Sequence, residues 1–490
     1  VLLTITKTVF LNAEPPSSNL FLFFPKNKKT IFSIRSYMKK NDPSTRSITP
    51  INIFIMALKY KNSLYIVLVL FCTVFAGFIF FNGKSKPAAL PQLKERKGEL
   101  ANAPEWELTQ QNVQKLMGEL EKKPNDAKNL LRLAAEYMQE GRATGDFTYY
   151  NKSALDLIHA ALKIDPKNFD ALCYKAMVYL SQHRFAEGKA LAMEGAAINP
   201  YNSFIYGLLV DANVELGDYK EAVTMCDKMV GMRPDIRSYS RISYLRELHG
   251  DMPGALEAIQ LGIKAGFPGM ESTEWARMVY AHLLEDSGKL DEADAQYNIA
   301  LSERKGYPFA YAGLGRIAAY RKDYPKAIEY YERARKTMAD ASFFEELIDL
   351  YKLNNEPEKA ATCEKALLNG LLADNIDAEK DKDSGHYSDL ELTNLYLKMG
   401  QLDNALIHAK KEYDRRPLNI DACQTLAWVY YKLGQFSLAA PLIDTAMQTN
   451  YQNPEFLYKS GLILSASGRK AEGDALVGKA WTMKPYLMID

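Results

Sequence analysis

The stretch from Leu314 to Ala334, L-G-R-I-A-A-Y-R-K-D-Y-P-K-A-I-E-Y-Y-E-R-A, reads as two helices joined by a short reversal. In its second half Ala327, Tyr331 and Ala334 recur at i, i+4 and i+7, which places them on one face of a helix. Gly315 removes a side chain where the paired helix must come close, and a turn residue ends the first helix because the chain has to reverse within a few residues. Such a hairpin cannot bury its apolar face alone, so copies of it must stack.

Copies are found at a fixed spacing on either side. Pro166, Pro200 and Pro234 lie 34 residues apart, and Pro417 and Pro485 lie 68 apart, two periods. Gly400, Gly434 and Gly468 keep the same interval of 34, as do Ala293 with Ala327 and Ala405 with Ala439. Several residue types sharing one period is a repeat, not chance. Three places depart from it. The interval from Pro124 to Pro166 is 42, with eight extra residues around Ala143–Asn151; Gly217 to Gly250 is one residue short; and D-N-I-D-A-E-K-D-K-D-S-G-H interrupts the period between Leu371 and Tyr387. The last break predicts an acidic loop over 371–387 that divides the array into two stacks, 105–370 and 388–490.

The pattern resembles the tetratricopeptide repeat family, whose 34-residue unit runs W-x2-L-G-x2-Y, then A-x3-F/Y, A and P. Matching residues are Leu133, Tyr137, Ala154 and Ala161; Tyr179; Gly217, Tyr219 and Ala222; Ala293, Tyr297 and Ala300; and Leu426, Ala427, Tyr430, Gly434, Phe436, Ala439 and Ala446. The resemblance covers about residues 105–487, roughly ten hairpins. It implies an all-α, right-handed superhelical solenoid in which the first helix of each hairpin lines a concave groove for a protein or peptide partner.

Composition excludes several other classes. A formal net charge of +1 on 490 residues argues against nucleic acid as a partner, because such binding normally shows as a basic stripe. Residues 1–55 carry eight Lys/Arg against Glu14 and Asp42, so the remainder is mildly acidic. The five cysteines (Cys72, Cys173, Cys226, Cys363, Cys423) are scattered and form no C-x-x-C pair, which signals neither a zinc cluster nor a redox dithiol and predicts small buried hydrophobes.

Leu64–Phe81, LYIVLVLFCTVFAGFIFF, is an uncharged run of 18 residues flanked by Lys59, Lys61, Lys84 and Lys86. As a helix it spans about 27 Å, enough to cross a bilayer core. The expectation is a single transmembrane or signal-anchor helix. A secretory signal cleaved near Val74-Phe75-Ala76 is the alternative, against which Gly77–Phe81 continues the apolar run. Charge does not fix the orientation: residues 44–63 hold three Lys/Arg and residues 82–101 hold five. The short basic flank 56–63 before the run resembles a signal-anchor start, which places the solenoid on the extracytoplasmic, periplasmic side. Residues 1–55 read as a disordered basic arm or as upstream sequence outside the true reading frame, and 82–104 as a polar, proline-punctuated linker.

No catalytic constellation, cofactor motif or metal motif emerges, so the chain reads as a non-enzyme. Asp381-x-Asp383-x-Gly385 approaches a calcium loop, but its glycine comes one residue early and Leu392 stands where the closing glutamate belongs. The six histidines are far apart in sequence and read as ordinary surface or groove residues.

The candidate binding face centres on the fourth hairpin. Arg237, Arg241 and Tyr244 fall at i, i+4 and i+7 of its first helix, and two neighbouring guanidinium groups require an acidic acceptor between them. A ligand carboxylate would serve, or an internal acid such as Asp211, Glu247 or Glu285. By the same phase Tyr174, Phe204, Trp275, His282, Phe309, Arg316, Trp428 and Tyr431 face the groove, aromatics and arginine being the usual anchors of interfaces. The expected function is a membrane-tethered scaffold for proteins or peptides in an envelope assembly. The alternative is an extracytoplasmic uptake component holding a small molecule or glycan.

Overall fold

The computed structural model describes residues 71–73, 90–381 and 383–487. Residues 91–381 and 383–487 belong to one compact unit. A leading helix, Pro104–Lys122, is followed by ten antiparallel hairpins, and no strand occurs among the described residues. The first four pair Ala127–Thr144 with Phe147–Ile164, Phe169–Ser181 with Ala186–Ile198, Ser203–Glu215 with Tyr219–Met232, and Ile236–Leu248 with Met252–Ala265. The next three pair Glu271–Asp286 with Leu290–Glu303, Pro308–Tyr320 with Tyr324–Thr337, and Ala341–Leu353 with Pro357–Lys380. The last three pair Asp389–Lys398 with Leu402–Arg415, Ile420–Lys432 with Phe436–Ala446, and Pro454–Ala466 with Lys470–Met483.

Local chemistry sets these boundaries. Asn168, Asn202, Asn419 and Asn453 cap first helices by accepting backbone N–H bonds, and Asp218, Asp251 and Asp323 cap second helices in the same way. Each such cap stabilises its helix by about 1 kcal/mol. First helices commonly end on a left-handed residue, as at Gly217 (φ 79°) and Gly250 (φ 78°), which reverses the chain at little cost. Within the deciding hairpin, Ala327, Tyr331 and Ala334 are all buried, and a Cβ added at Gly315 would sit 2.6 Å from the Tyr331 ring. The close approach expected at Gly315 is therefore present. Cys173, Cys226, Cys363 and Cys423 are buried thiols without a disulfide.

The solenoid winds tightly enough that successive superhelical turns touch. The reversal at Gly217 lies against Leu418, and the one at Gly250 against Asn450. Side chains cross the same seam: Tyr219 Oη accepts from the Ile420 amide at 2.9 Å, Asn453 Nδ2 donates to Asp286 at 2.7 Å, and Tyr486 donates to the Glu285 carbonyl at 2.6 Å. These partners are 201, 167 and 201 residues apart, so roughly six hairpins complete one turn.

Three sequence expectations differ from the structure. The acidic loop predicted over 371–387 is mostly helix, because Pro357–Lys380 runs on for 24 residues with Leu371, Asn375 and Ala378 buried. The array is not divided there into two stacks, since the residues on either side belong to one compact unit. The eight extra residues near Ala143–Asn151 are taken up in the first hairpin, both of whose helices are 18 residues long. The described end of the 82–104 segment is not a free linker either. Arg96 is buried, bonded to Glu140 at 3.0 Å and to Glu105 at 3.0 Å, and Leu100 packs in the core. The predicted apolar span Leu64–Phe81 lies outside the described residues except for Phe71–Thr73, which are helical. Among the described residues no helix is long and apolar enough to cross a membrane.

Candidate functional site

First helices line the inside of the superhelix, where a cavity of about 920 Å³ opens. Each of the first eight hairpins contributes to its wall through its first helix, for example Met138, Met177, Asp211, Arg237, Trp275, Phe309, Glu345 and Glu391. Arg241 and Tyr244 join them, so five of the eleven residues singled out from sequence meet in one place. Trp275 and Phe309 touch edge to face with ring centroids 5.2 Å apart, and Phe309 continues the contact to Phe343 at 5.7 Å.

Internal acids answer both arginines. Arg241 Nε donates to Asp211 Oδ1 at 2.8 Å and Nη2 to Oδ2 at 2.5 Å, a bidentate pair, while Nε is shared with the Gly207 carbonyl and Nη1 reaches the Arg237 carbonyl. Burial raises the Asp211 carboxyl against the pull of Arg241. Arg237 pairs with Asp235, the N-cap of its own helix, at 2.7 Å, and its guanidinium lies 5.8 Å from the Phe204 ring. Asp211 thus supplies the acceptor for Arg241. Arg237 keeps a half-exposed guanidinium at the cavity wall.

The other predicted residues lie elsewhere. Arg316 is buried and forked onto Glu285 at 3.0 and 3.1 Å, with the Tyr297 hydroxyl at 2.8 Å. His282 stands beside Glu285 and Asp286, and burial holds its imidazole well below the ordinary histidine range. These two belong to a polar network at the seam between turns, where Lys484 donates to Asp286 at 2.6 Å. Trp428 and Tyr431 stack at 4.9 Å, with Lys432 4.8 Å from the indole. Tyr174 and Phe204 are half-buried on their first helices and are not part of the cavity wall.

Acids and histidines were the residues missed from sequence. Glu345, pushed up to about 8 by burial, and Glu391, Asp374, His183 and His386 all face the cavity. Of these His183 left a readable trace, since it stands 34 residues before the turn glycine Gly217 and occupies its place in the second hairpin. The acidic Asp381–Asp383 pair is engaged by the chain itself: Asp381 accepts from Ser384 at 2.8 Å and Asp383 from Tyr179 at 3.2 Å.

Residues 281–342 and 425–476 match the tetratricopeptide repeat family model. No curated protein matches the chain in sequence. Among solved structures, a tetratricopeptide repeat protein from Parabacteroides merdae aligns at 17% identity over 49% of this chain and 90% of its own, with a TM-score of 0.38. A chain of the APC/C hetero-tetramer Cut9–Hcn1 aligns at 17% identity over 72% of this chain and 65% of its own, TM-score 0.38. The human IFIT1 dimer with PPP-AAAA aligns at 14% identity over 77% and 88%, TM-score 0.42. With the periodic hairpins and the two matched segments, the chain is shown to carry tetratricopeptide repeats.

Proposed function

We propose that the chain is a membrane-tethered, non-catalytic scaffold whose repeat array holds a protein or peptide partner in an envelope assembly. Tetratricopeptide repeats generally mediate protein–protein interaction, and the interior face carries the kind of side chains that anchor such contacts. The carrying observation is the cavity of about 920 Å³, where Tyr244, Trp275, Phe309 and the half-exposed Arg237 converge from three hairpins. Leu64–Phe81 provides the tether in this reading, with the array on the extracytoplasmic side.

The inter-turn contacts favour a second reading, since an interior closed over by the next turn also suits a compact small molecule or glycan. Purification of the full chain from membranes, with and without the Tyr244→Ala/Trp275→Ala pair, separates the two. Co-purifying protein that is lost in the pair supports the scaffold, while a thermal shift with small ligands and no co-purifying protein supports the second reading. Recovery of the full chain in the membrane-free fraction would remove the tether from the proposal.

A further inference from the structure

The first helices of the third, fourth and fifth hairpins end on left-handed glycines, Gly217, Gly250 and Gly288. In the second hairpin that position is His183, at φ 59°. A side chain in the left-handed region is uncommon, histidine being among the residues that enter it, and here it carries the imidazole to a position only 6% exposed. Nδ1 lies 2.7 Å from the Tyr387 carbonyl oxygen. That oxygen can only accept, so Nδ1 carries the proton and Nε2 keeps its lone pair.

His386 meets this ring from the next superhelical turn, edge on, with centroids 5.1 Å apart. Glu391, buried on the first helix of the eighth hairpin, completes the group: one nitrogen from each imidazole and one carboxylate oxygen all lie within 4.8 Å of one another. Asp374 Oδ2 stands 3.7 Å from His386 Nδ1, and Ser388 Oγ lies 3.1 Å from His386 Nε2. His183, His386, Glu391 and Asp374 share the wall of the cavity.

We propose that His183, His386 and Glu391 form a binding site for a divalent transition ion of the Zn²⁺ class, with an open coordination position toward the cavity. Two imidazoles and one carboxylate are a donor set of open zinc sites, while Ca²⁺ and Mg²⁺ prefer oxygen alone. The bond from His183 to the Tyr387 carbonyl is the outer-shell contact that fixes the tautomer and orientation of a ligating histidine. Bonds of about 2.0–2.1 Å put tetrahedral donors roughly 3.3 Å apart, so each side chain would move inward by about 1 Å or less. Since His183 comes from one turn of the solenoid and His386 with Glu391 from the next, the ion would clasp the two turns together.

Cobalt is the probe, because a bound Co²⁺ reports its coordination in visible absorption. Full-length chain stripped with chelator is titrated with Co²⁺ and then with Zn²⁺. Variants are His183→Asn, which tolerates the left-handed backbone, His386→Gln and Glu391→Gln. The expected result is one equivalent of Co²⁺ with a low-coordinate spectrum, displaced by Zn²⁺ and weakened at least tenfold in each folded variant. Should one variant fail to show native circular dichroism, the other two decide. A wild-type chain without a one-equivalent Co²⁺ spectrum overturns the proposal, as does unchanged affinity in the folded variants.

Discussion

Arg416 and Glu215, 201 residues apart in the chain, are joined by a buried ion pair across the seam between two superhelical turns. Arg416 is 1% exposed and also donates to Glu412, so its guanidinium bridges two buried carboxylates, of which Glu412 also accepts from Arg415 at 2.6 Å. Asn419 adds a bond to the Val214 carbonyl at 3.3 Å beside it. Arg416→Met removes the cation that bridges Glu215 and Glu412 across the seam and should destabilise the array by ~3–5 kcal/mol in urea unfolding. Hydrogen exchange should show the loss first at 214–219 and 418–420. Wild-type stability in this variant would mean that the turns are held by other contacts.

Ala327 offers a test of the hairpin packing. It is fully buried, and its carbonyl lies 3.4 Å from where a Cβ on Gly315 would stand. Ala327→Leu should cost ~1–3 kcal/mol by overpacking, whereas Lys220→Ala on an exposed face should leave the melting temperature unchanged. Equal melting of the two variants would contradict the assigned helix phase.

Arg241 separates structure from binding. Its bidentate partner is Asp211, and both side chains are about one-fifth exposed. Arg241→Ala should therefore lower stability by ~1.5–3 kcal/mol, the range for hydrogen bonds to charged groups. Arg237→Ala, which removes a half-exposed group whose ion pair is with Asp235 of its own helix turn, should leave the melting temperature nearly unchanged and weaken partner binding. The reverse pattern would exchange the roles assigned to the two residues.

Glu247 predicts a pH dependence. Burial, with Asp286 nearby, raises its carboxyl from 4.5 to about 8. The folded chain therefore keeps a proton that the unfolded chain releases above pH 4.5. Its stabilising contribution is complete below that pH and is lost as the pH rises through about 8. Glu345, raised by burial to about 8, acts in the same direction. Glu247→Gln stays neutral and can still accept from Tyr451, which lies 3.2 Å from the carboxylate. Its melting temperature should match wild type near pH 5 and exceed it near pH 8.5, an interval set by the linkage of proton binding to folding. Parallel profiles would show that Glu247 does not titrate in this interval.

What was legible in the sequence was local. Ala327, Tyr331 and Gly315 revealed the hairpin because their spacing follows the 3.6-residue helix, and the recurring prolines and glycines revealed its copies. What was hidden depends on superhelical pitch, which a 34-residue period does not encode. Glu215 has no reason to be acidic until Arg416 arrives from the next turn, and His183 and His386 are remote in sequence for the same reason. The 371–387 segment misled because acidic composition reads as loop, whereas Leu371, Asn375 and Ala378 keep a helical face inside it. Among the candidate groove residues, Arg237, Arg241, Tyr244, Trp275 and Phe309 were found by phase alone, while Arg316 and His282 share that phase but are taken up by Glu285 and Asp286.

The central claim is that the interior formed by first helices receives a partner protein. A photo-crosslinking amino acid placed at Trp275, on the cavity wall, and separately at Leu261, exposed on a second helix, tests it in living cells. The account predicts a covalent adduct with another protein from position 275 and none from 261. Adducts from 261 alone, or none from 275, would contradict it.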